Sequence, residues 1–135
     1  MKIFNKTEPF ADKVNFIDDN NVVLGYDTSQ LCCETADWFI ADKVTPELLS
    51  YDGDDINVDL EGWNFDRFFF QEIDYVEGGN SNHKYNDLNE GGMVVFRITK
   101  GNQEKFLHLY NCHNGYYSHG FEFKNGKQII QDGSL

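Results

Sequence analysis

The chain has 135 residues, of which 40% are hydrophobic and 16% aromatic, and its formal net charge at pH 7 is −12. This composition excludes disorder of the whole chain and predicts a single domain over residues 1–135 with a core of its own. The negative charge argues against direct binding of nucleic acid or of anionic membranes, because both would repel the chain.

The N-terminal region is predicted to contain a β-hairpin and no targeting segment. Residues 1–6 lack an apolar stretch long enough for a signal peptide, and no segment approaches the roughly 20 apolar residues that span a bilayer. Apolar runs at residues 14–17 and 22–26 are separated by a turn-forming cluster at residues 18–21. This pattern predicts two antiparallel strands joined by a tight turn.

The cysteines and the residues after them predict a compartment and a short helix. Cys32 and Cys33 are adjacent, and with Cys112 they make an odd total of three. Such a set does not supply an ordinary disulfide framework, so we expect a reducing, cytoplasmic location. Residues 29–40 fit either a helix face or a strand, whereas a threonine–proline pair at residues 45–46 predicts a turn or two of helix over residues 45–50.

The negative charge is concentrated in roughly a third of the chain. Residues 16–62 carry twelve carboxylates against one base. Within them, residues 55–61 alternate between apolar and polar side chains, which predicts a half-buried strand with an anionic outer face. A calcium loop is the alternative, since Asp55, Asn57 and Asp59 match its first three ligand positions, but Leu60 stands where that loop needs glycine.

Two interpretations of this acidic stretch remain open. The charge could serve only solubility and the protection of an edge strand. The other interpretation is a docking surface for a basic protein partner, such as a nuclease or another nucleic-acid-binding protein, with electrostatic steering of association. We predict this second, non-enzymatic role, with no cofactor. The predicted partner-binding residues are Asp52, Asp54, Asp55, Asp59, Glu61, Asp18 and Asp19.

The remaining pattern is rich in strands. Residues 63–76, with three consecutive phenylalanines, predict a long central strand, and residues 77–92 predict an exposed mobile loop. Four strands follow, with Asn-Gly turns predicted at residues 114–115 and 125–126. The predicted fold class is therefore α+β and β-rich, with a single twisted, mostly antiparallel sheet that ends in a C-terminal meander and with one or two short helices. The four predicted strands are residues 93–99, 104–111, 116–123 and 128–131.

A histidine-bearing hairpin is the second candidate site. Counting outward from the turn at residues 114–115 places His108 and His119 as diagonal neighbours on one face, with Cys112 diagonal to His119. On one interpretation this face belongs to the core, and its histidines are neutral and hydrogen-bonded to a tyrosine hydroxyl or a backbone carbonyl.

Two functional interpretations of the same residues remain open. One is a zinc site, because imidazole and thiolate are ligands that suit this metal. Its candidate ligands are Cys32, Cys33, Cys112, His108 and His119. The other is a hydrolytic site with a cysteine nucleophile and a histidine base. Its candidate residues are Cys112 or Cys32, His119 or His113, and Asp37.

Three segments carry a resemblance to a known family: residues 32–34 (CCE), residues 37–39 (DWF) and residues 109–122 (LYNCHNGYYSHGFE). With these segments, the chain resembles a family of small bacterial and phage proteins of unknown function, from about Val14 onward. The resemblance implies a bacterial or viral origin and a compact stand-alone domain. It also suggests inhibition of a host enzyme, such as a nuclease of a defence system.

Overall fold

The computed structural model describes residues 1–6, 12–31, 34–46, 59–73, 92–112 and 117–135. Within these ranges every regular element is a β-strand. The strands are β1 (Lys2–Lys6), β2 (Lys13–Ile17), β3 (Val22–Asp27), β4 (Thr35–Ala41), β5 (Asn64–Phe65), β6 (Gln71–Ile73), β7 (Gly92–Lys100), β8 (Gln103–Cys112), β9 (Gly120–Asn125) and β10 (Gln128–Ser134).

The strands form two antiparallel sheets. The first sheet has the order β1-β2-β3-β9-β10, and the second has the order β4-β8-β7-β5, with β6 also paired to β7. The predicted α+β class with a single sheet is therefore wrong. The predicted helix at residues 45–50 does not begin at Thr45 or Pro46, which are irregular, and residues 47–50 lie outside the described ranges.

The main core lies between the two sheets. Phe16, Leu24 and Phe123 come from the first sheet and Phe96 and Leu107 from the second, and all five are fully buried. The Phe96 and Phe123 rings meet edge to face with their centroids 4.9 Å apart. Because side chains alternate across a strand, one face of each sheet can supply this core.

The second sheet also buries residues on its other face. Phe39, Met93 and Cys112 form a small separate cluster there, and His108 stacks on Phe39 with ring centroids 4.3 Å apart. Burial on both faces explains why β7 and β8 contain nearly continuous apolar runs rather than a clean alternation.

Two of the predicted hairpins are confirmed. The strands β2 and β3 pair across the turn at residues 18–21, in the register that places Phe16 opposite Leu24. The strands β9 and β10 pair with Asn125 opposite Gln128, so the turn residues are Gly126 and Lys127, one position later than predicted. Gly126 has a φ of 60°, a conformation that favours glycine.

The predicted hairpin at residues 114–115 is wrong. The strand β8 pairs with β4 and β7 in the second sheet, whereas β9 pairs with β3 and β10 in the first. The C-terminal half is therefore not a continuous meander, because the chain changes sheets between β8 and β9. Residues 113–116, which include the predicted turn, lie outside the described residues.

The predicted long strand at residues 63–76 is also wrong. Within residues 63–73, which the structure describes, the chain makes two short strands, β5 and β6, separated by a turn at residues 67–68, and residues 74–76 lie outside the described ranges. Of the predicted acidic strand, residues 55–58 lie outside the described ranges, and residues 59–61 do not form a strand. The predicted loop at residues 77–92 is likewise outside them except for Gly92, which begins β7. No helix in the described ranges is long and apolar enough to cross a bilayer.

Candidate functional site: an acidic patch and the buried histidines

Asp18 was predicted to contact a partner, but its side chain is only 4% exposed and has a structural task. One carboxylate oxygen accepts the backbone N–H groups of Asn20 and Val22, each at 2.9 Å. The other accepts the N–H of Phe65, also at 2.9 Å. Since Phe65 belongs to the second sheet, Asp18 joins the two sheets and is not part of an exposed surface.

Three other predicted partner-binding acids are exposed: Asp19 in the same turn, and Asp59 and Glu61 in the segment that leads to Asn64; we call these three residues the acidic patch. The backbone N–H of Asp19 donates to Asn64 Oδ1 at 3.2 Å, and Asn64 Nδ2 donates to the carbonyl of Gly62 at 3.4 Å. These bonds hold the turn at residues 18–21 against residues 61–64. The acidic patch is thus assembled from two distant parts of the chain.

The patch also has a base beside it. A Cβ atom added to Gly62 would lie 3.1 Å from Cε of Lys100, so the stem of this lysine runs along the backbone next to Glu61. Gly62 has a φ of 80°, which requires glycine and lets the chain turn there. In the described residues neither Asp59 nor Glu61 forms a salt bridge, and Asp59 Oδ1 instead accepts the N–H of Glu61 at 3.0 Å.

Other acids of the described residues are neutralised by bases. Asp42, from the acidic stretch, pairs with Lys105 at 3.0 Å. Arg97 donates to Asp66 and lies 3.3 Å from a carboxylate oxygen of Glu104. These pairs remove part of the negative charge from the second sheet.

Asp37, the acid of the predicted hydrolytic site, lies on the edge strand β4. Its Oδ1 accepts the N–H of Trp38 at 2.8 Å. Partial burial raises the pKa of the Asp37 carboxyl above its usual range, and this hydrogen bond opposes the shift. Three predicted partner-binding residues, Asp52, Asp54 and Asp55, lie outside the described residues.

His108 is a satisfied core residue. Its Nδ1–H donates to the carbonyl of Phe106 at 3.0 Å, and its Nε2 accepts the backbone N–H of Thr45 at 3.1 Å. These two partners require the neutral imidazole. Burial lowers the pKa of His108 from 6.5 to about 4, against the smaller opposing effect of hydrogen bonds to the backbone of Phe106 and Phe39. A neutral, hydrogen-bonded histidine is what the core interpretation predicted here.

His119 occupies a different environment, so the predicted pairing of the two histidines is wrong. It is fully buried, and its Nδ1–H donates to the carbonyl of Asp27 at 3.0 Å. Its Nε2 lies 3.4 Å from Oε1 of Glu34, whose side chain is 1% exposed. The backbone of His119 exchanges two hydrogen bonds with Leu135. His119 and Glu34 thus form a polar contact inside the fold, which the sequence pattern did not indicate.

The described residues do not assemble the predicted zinc site. Cys112 is buried beside Phe39, and its Sγ–H points to the carbonyl of Thr35 at 3.6 Å. No group of three metal-ligating side chains comes together within the described ranges. Cys32, Cys33 and His113 lie outside them. The participation of the two adjacent cysteines in a metal or hydrolytic site stays a prediction.

The surface of the described fold has hollows lined by polar and charged side chains. One, of about 430 Å³, lies against the outer side of the first sheet and is lined by side chains of both charges, including Asp27, Glu122 and Lys13. Lys124, followed by Lys13, lowers the pKa of the Glu122 carboxyl. Another, of about 360 Å³, lies between turns at one end of the sheets. It is lined by Asn20, Val22, Phe65, Arg67 and Asn125.

The turn after β5 carries the most exposed large apolar side chain of the described residues. Phe68 is 92% exposed at the tip of the turn between β5 and β6. The sequence pattern placed it inside a central strand, which is wrong. The signal that marks the turn is Asp66, whose Oδ1 accepts the N–H of Phe68 at 3.0 Å, because an aspartate that bonds the backbone two residues on is a common turn former.

Nothing matches this chain among protein-family models, curated proteins or solved structures. The resemblance to small bacterial and phage proteins stays a prediction.

Proposed function

We propose that this chain is a small, acidic, non-enzymatic binding protein that inhibits or regulates a basic protein. The partner of this proposal is a nuclease or another protein that handles nucleic acid, since such proteins present cationic clefts. The proposed location is the cytoplasm, in keeping with the adjacent cysteines at residues 32 and 33. The mechanism is occupation of the cationic cleft by the acidic patch, which keeps nucleic acid out.

The observation that carries this proposal is the position of Asp19, Asp59 and Glu61. These carboxylates are exposed, they have no salt bridge within the described residues, and the hydrogen bonds of Asn64 hold their two segments together. By contrast, Asp18 is buried and Asp42 is paired with Lys105. Unpaired surface carboxylates instead remain available to a partner.

Binding through the acidic patch should depend on the salt concentration. Opposite charges on two proteins accelerate their encounter, and this effect falls as ionic strength rises. At about 0.15 M salt, the Debye length is about 8 Å, so only charges close to the partner contribute strongly. Neutralising carboxylates within the patch should therefore weaken binding more than neutralising the same number elsewhere.

The test is a capture experiment with charge-matched variants. Immobilised wild-type chain is incubated at low salt with an extract of the cell in which it acts, and retained proteins are identified by mass spectrometry. The patch variant is Asp59→Asn with Glu61→Gln. The control variant is Glu72→Gln with Asp132→Asn, which removes the same charge from exposed positions on β6 and β10.

We expect wild type and the control variant to retain a basic protein, and the patch variant not to retain it. Higher salt should release this protein. Purified partner should then lose its nucleic-acid binding or cleavage when wild-type chain is added. Retention that is equal for both variants, or that persists at high salt, would contradict the proposal.

A further inference from the structure

The imidazole ring of His119 has an acidic residue beside each of its two nitrogens. Its Nδ1 lies 3.0 Å from the carbonyl oxygen of Asp27 and 3.7 Å from Oδ1 of the same residue. Its Nε2 lies 3.4 Å from Oε1 of Glu34. Within the part of the chain that the structure describes, His119 forms no other ion pair. Each ring nitrogen therefore faces an oxygen that can accept a hydrogen bond.

The contact between His119 and Glu34 is closed to solvent. The two side chains are 0% and 1% exposed, whereas that of Asp27 is 44% exposed. Nε2 of His119 makes no well-aligned hydrogen bond with another group of the protein. Because little water lies between the facing atoms, attraction or repulsion between them is weakly screened. The charge state of this contact therefore matters more than that of a pair on the surface.

The hydrogen bond at Nδ1 determines the state of Nε2. A carbonyl oxygen only accepts, so Nδ1 of His119 carries a proton. In the neutral ring, Nε2 then has a lone pair, and an ionised Glu34 would place a negative charge against it. Such a buried contact is repulsive and has no water to relieve it. One additional proton removes the repulsion, either on Nε2 as an ion pair or on Glu34 as an O–H that donates to Nε2.

We propose that the contact between Glu34 and His119 holds one proton at neutral pH and acts as a proton-dependent lock between the two sheets. Glu34 comes directly before β4 of the second sheet, and His119 comes directly before β9 of the first. Oε1 of Glu34 also accepts the N–H of Leu31 at 2.5 Å. The N–H of His119 donates to the backbone oxygen of Leu135 at 2.9 Å. Both residues are thus held in place around the shared proton.

The lock weakens as the pH rises. In an unfolded chain, glutamate is ionised above about pH 4.3 and histidine is neutral above about pH 6.5. Above about pH 6.5, folding therefore takes up the proton of the contact, and stability falls with rising pH. The equilibrium constant of unfolding should increase by up to about tenfold per pH unit, until the folded chain also releases the proton. This inference needs no basic partner and is independent of the proposed function.

NMR of the folded wild-type chain at about pH 7.5 tests the proton directly, because an unfolded chain would hold no proton on either group there. The ¹⁵N shifts of the His119 ring report whether both nitrogens are protonated, and the carboxyl ¹³C shift of Glu34 reports whether that group is ionised. We expect a doubly protonated ring beside an ionised Glu34, or a neutral ring beside a protonated Glu34. A neutral ring beside an ionised Glu34 would overturn the inference, and this result needs no variant.

The second test compares pH dependence in matched variants. Glu34→Gln keeps an oxygen for the N–H of Leu31 and supplies an N–H for neutral His119, so its contact needs no extra proton. The control is Glu72→Gln, which removes an exposed carboxylate on β6. The other histidines titrate in all three chains, so their effects cancel.

Urea unfolding is measured from about pH 6.5 to about pH 8.5, where the unfolded chain has lost this proton. We expect wild type and the control to lose stability relative to Glu34→Gln as the pH rises. The ratio of their unfolding constants to that of Glu34→Gln should change by up to about tenfold per pH unit. The same pH dependence in all three chains would show that the contact holds no additional proton.

Discussion

The carboxylate of Asp18 accepts the backbone N–H of Phe65 across 2.9 Å, and this bond joins the β2–β3 turn of the first sheet to β5 of the second. The same carboxylate closes its own turn through Asn20 and Val22. One acid thus fixes both the local shape of a turn and its contact with the opposite sheet. Its neighbour Asp19 has its side chain in solvent, although the two residues look alike in the sequence.

Replacing Asp18 should destabilise the fold, whereas replacing Asp19 should not. Asp18→Ala leaves three backbone N–H groups without their acceptor, so we expect a loss of about 3 to 5 kcal/mol in the free energy of unfolding. Asp18→Asn keeps one carbonyl oxygen for the turn and should lose about half as much. Urea unfolding measures the free energy of unfolding of both variants. The matched control is Asp19→Asn, which should change this free energy by less than about 0.5 kcal/mol. Equal losses of stability in the variants at positions 18 and 19 would contradict the structural role of Asp18.

His108 should make the fold sensitive to acid. The unfolded chain takes up a proton at this histidine near its ordinary pKa of 6.5, but the folded chain does so only near 4. Stability from this residue is therefore complete above pH 6.5 and decreases as the pH falls toward 4, by about 3 kcal/mol in total. Denaturant unfolding at intervals between pH 7.5 and pH 4 measures this slope.

The control for that slope is His108→Gln, which removes the titrating group but keeps a hydrogen-bonding side chain. All carboxylates titrate in both proteins, so their effects cancel in the difference. The variant should be less stable than wild type at pH 7.5, and the gap should close as the pH falls. A gap that stays constant down to pH 4 would show that His108 does not carry the acid sensitivity.

The hydroxyl group of Tyr26 connects the two sheets, and its removal should destabilise the fold. This fully buried side chain donates to the carbonyl of Tyr110 at 2.7 Å, from the first sheet to the second. Tyr26→Phe should lower the free energy of unfolding by about 1 to 2 kcal/mol. Burial first, and then the charge of Asp27, raises the pKa of Tyr26 far above its usual 10.0.

The raised pKa has a consequence above pH 10. The unfolded chain releases the Tyr26 proton there and the folded chain retains it, so stability should fall with rising pH. In the Tyr26→Phe variant, the free energy of unfolding should therefore fall less steeply above pH 10 than in wild type. In the folded state, phenolate absorbance of wild type and variant should agree up to about pH 11, since a buried phenol does not contribute. Excess phenolate absorbance in folded wild type would contradict the burial of this hydroxyl.

The sequence predicted local structure better than long-range pairing. Apolar runs with turn-forming residues between them correctly predicted β2 with β3 and β9 with β10. The same local reasoning failed at residues 114–115, because a strand pattern does not say which sheet a strand joins. The strand β8 takes both of its neighbours, β4 and β7, from the second sheet.

The sites were harder to predict for a related reason. Asp18 and Asp19 are adjacent and chemically identical, but Asp18 bonds its own turn and also Phe65, which is distant in the sequence. Likewise, three consecutive phenylalanines predict a buried strand, but the hydrogen bonds of Asp66 turn the chain and leave Phe68 in solvent. Composition correctly indicated an excess of acid. Which acids are exposed depends on tertiary contacts that no short pattern records.

Fluorescence anisotropy of a labelled deca-arginine peptide tests the acidic patch most directly, because the peptide supplies the cationic surface that the proposal requires. Wild-type chain should bind it at low salt, with affinity that falls as salt rises. Asp59→Asn with Glu61→Gln should weaken binding several-fold more than the charge-matched Glu72→Gln with Asp132→Asn. If the two variants bind equally, only the total charge of the chain matters, and the proposed docking surface does not exist.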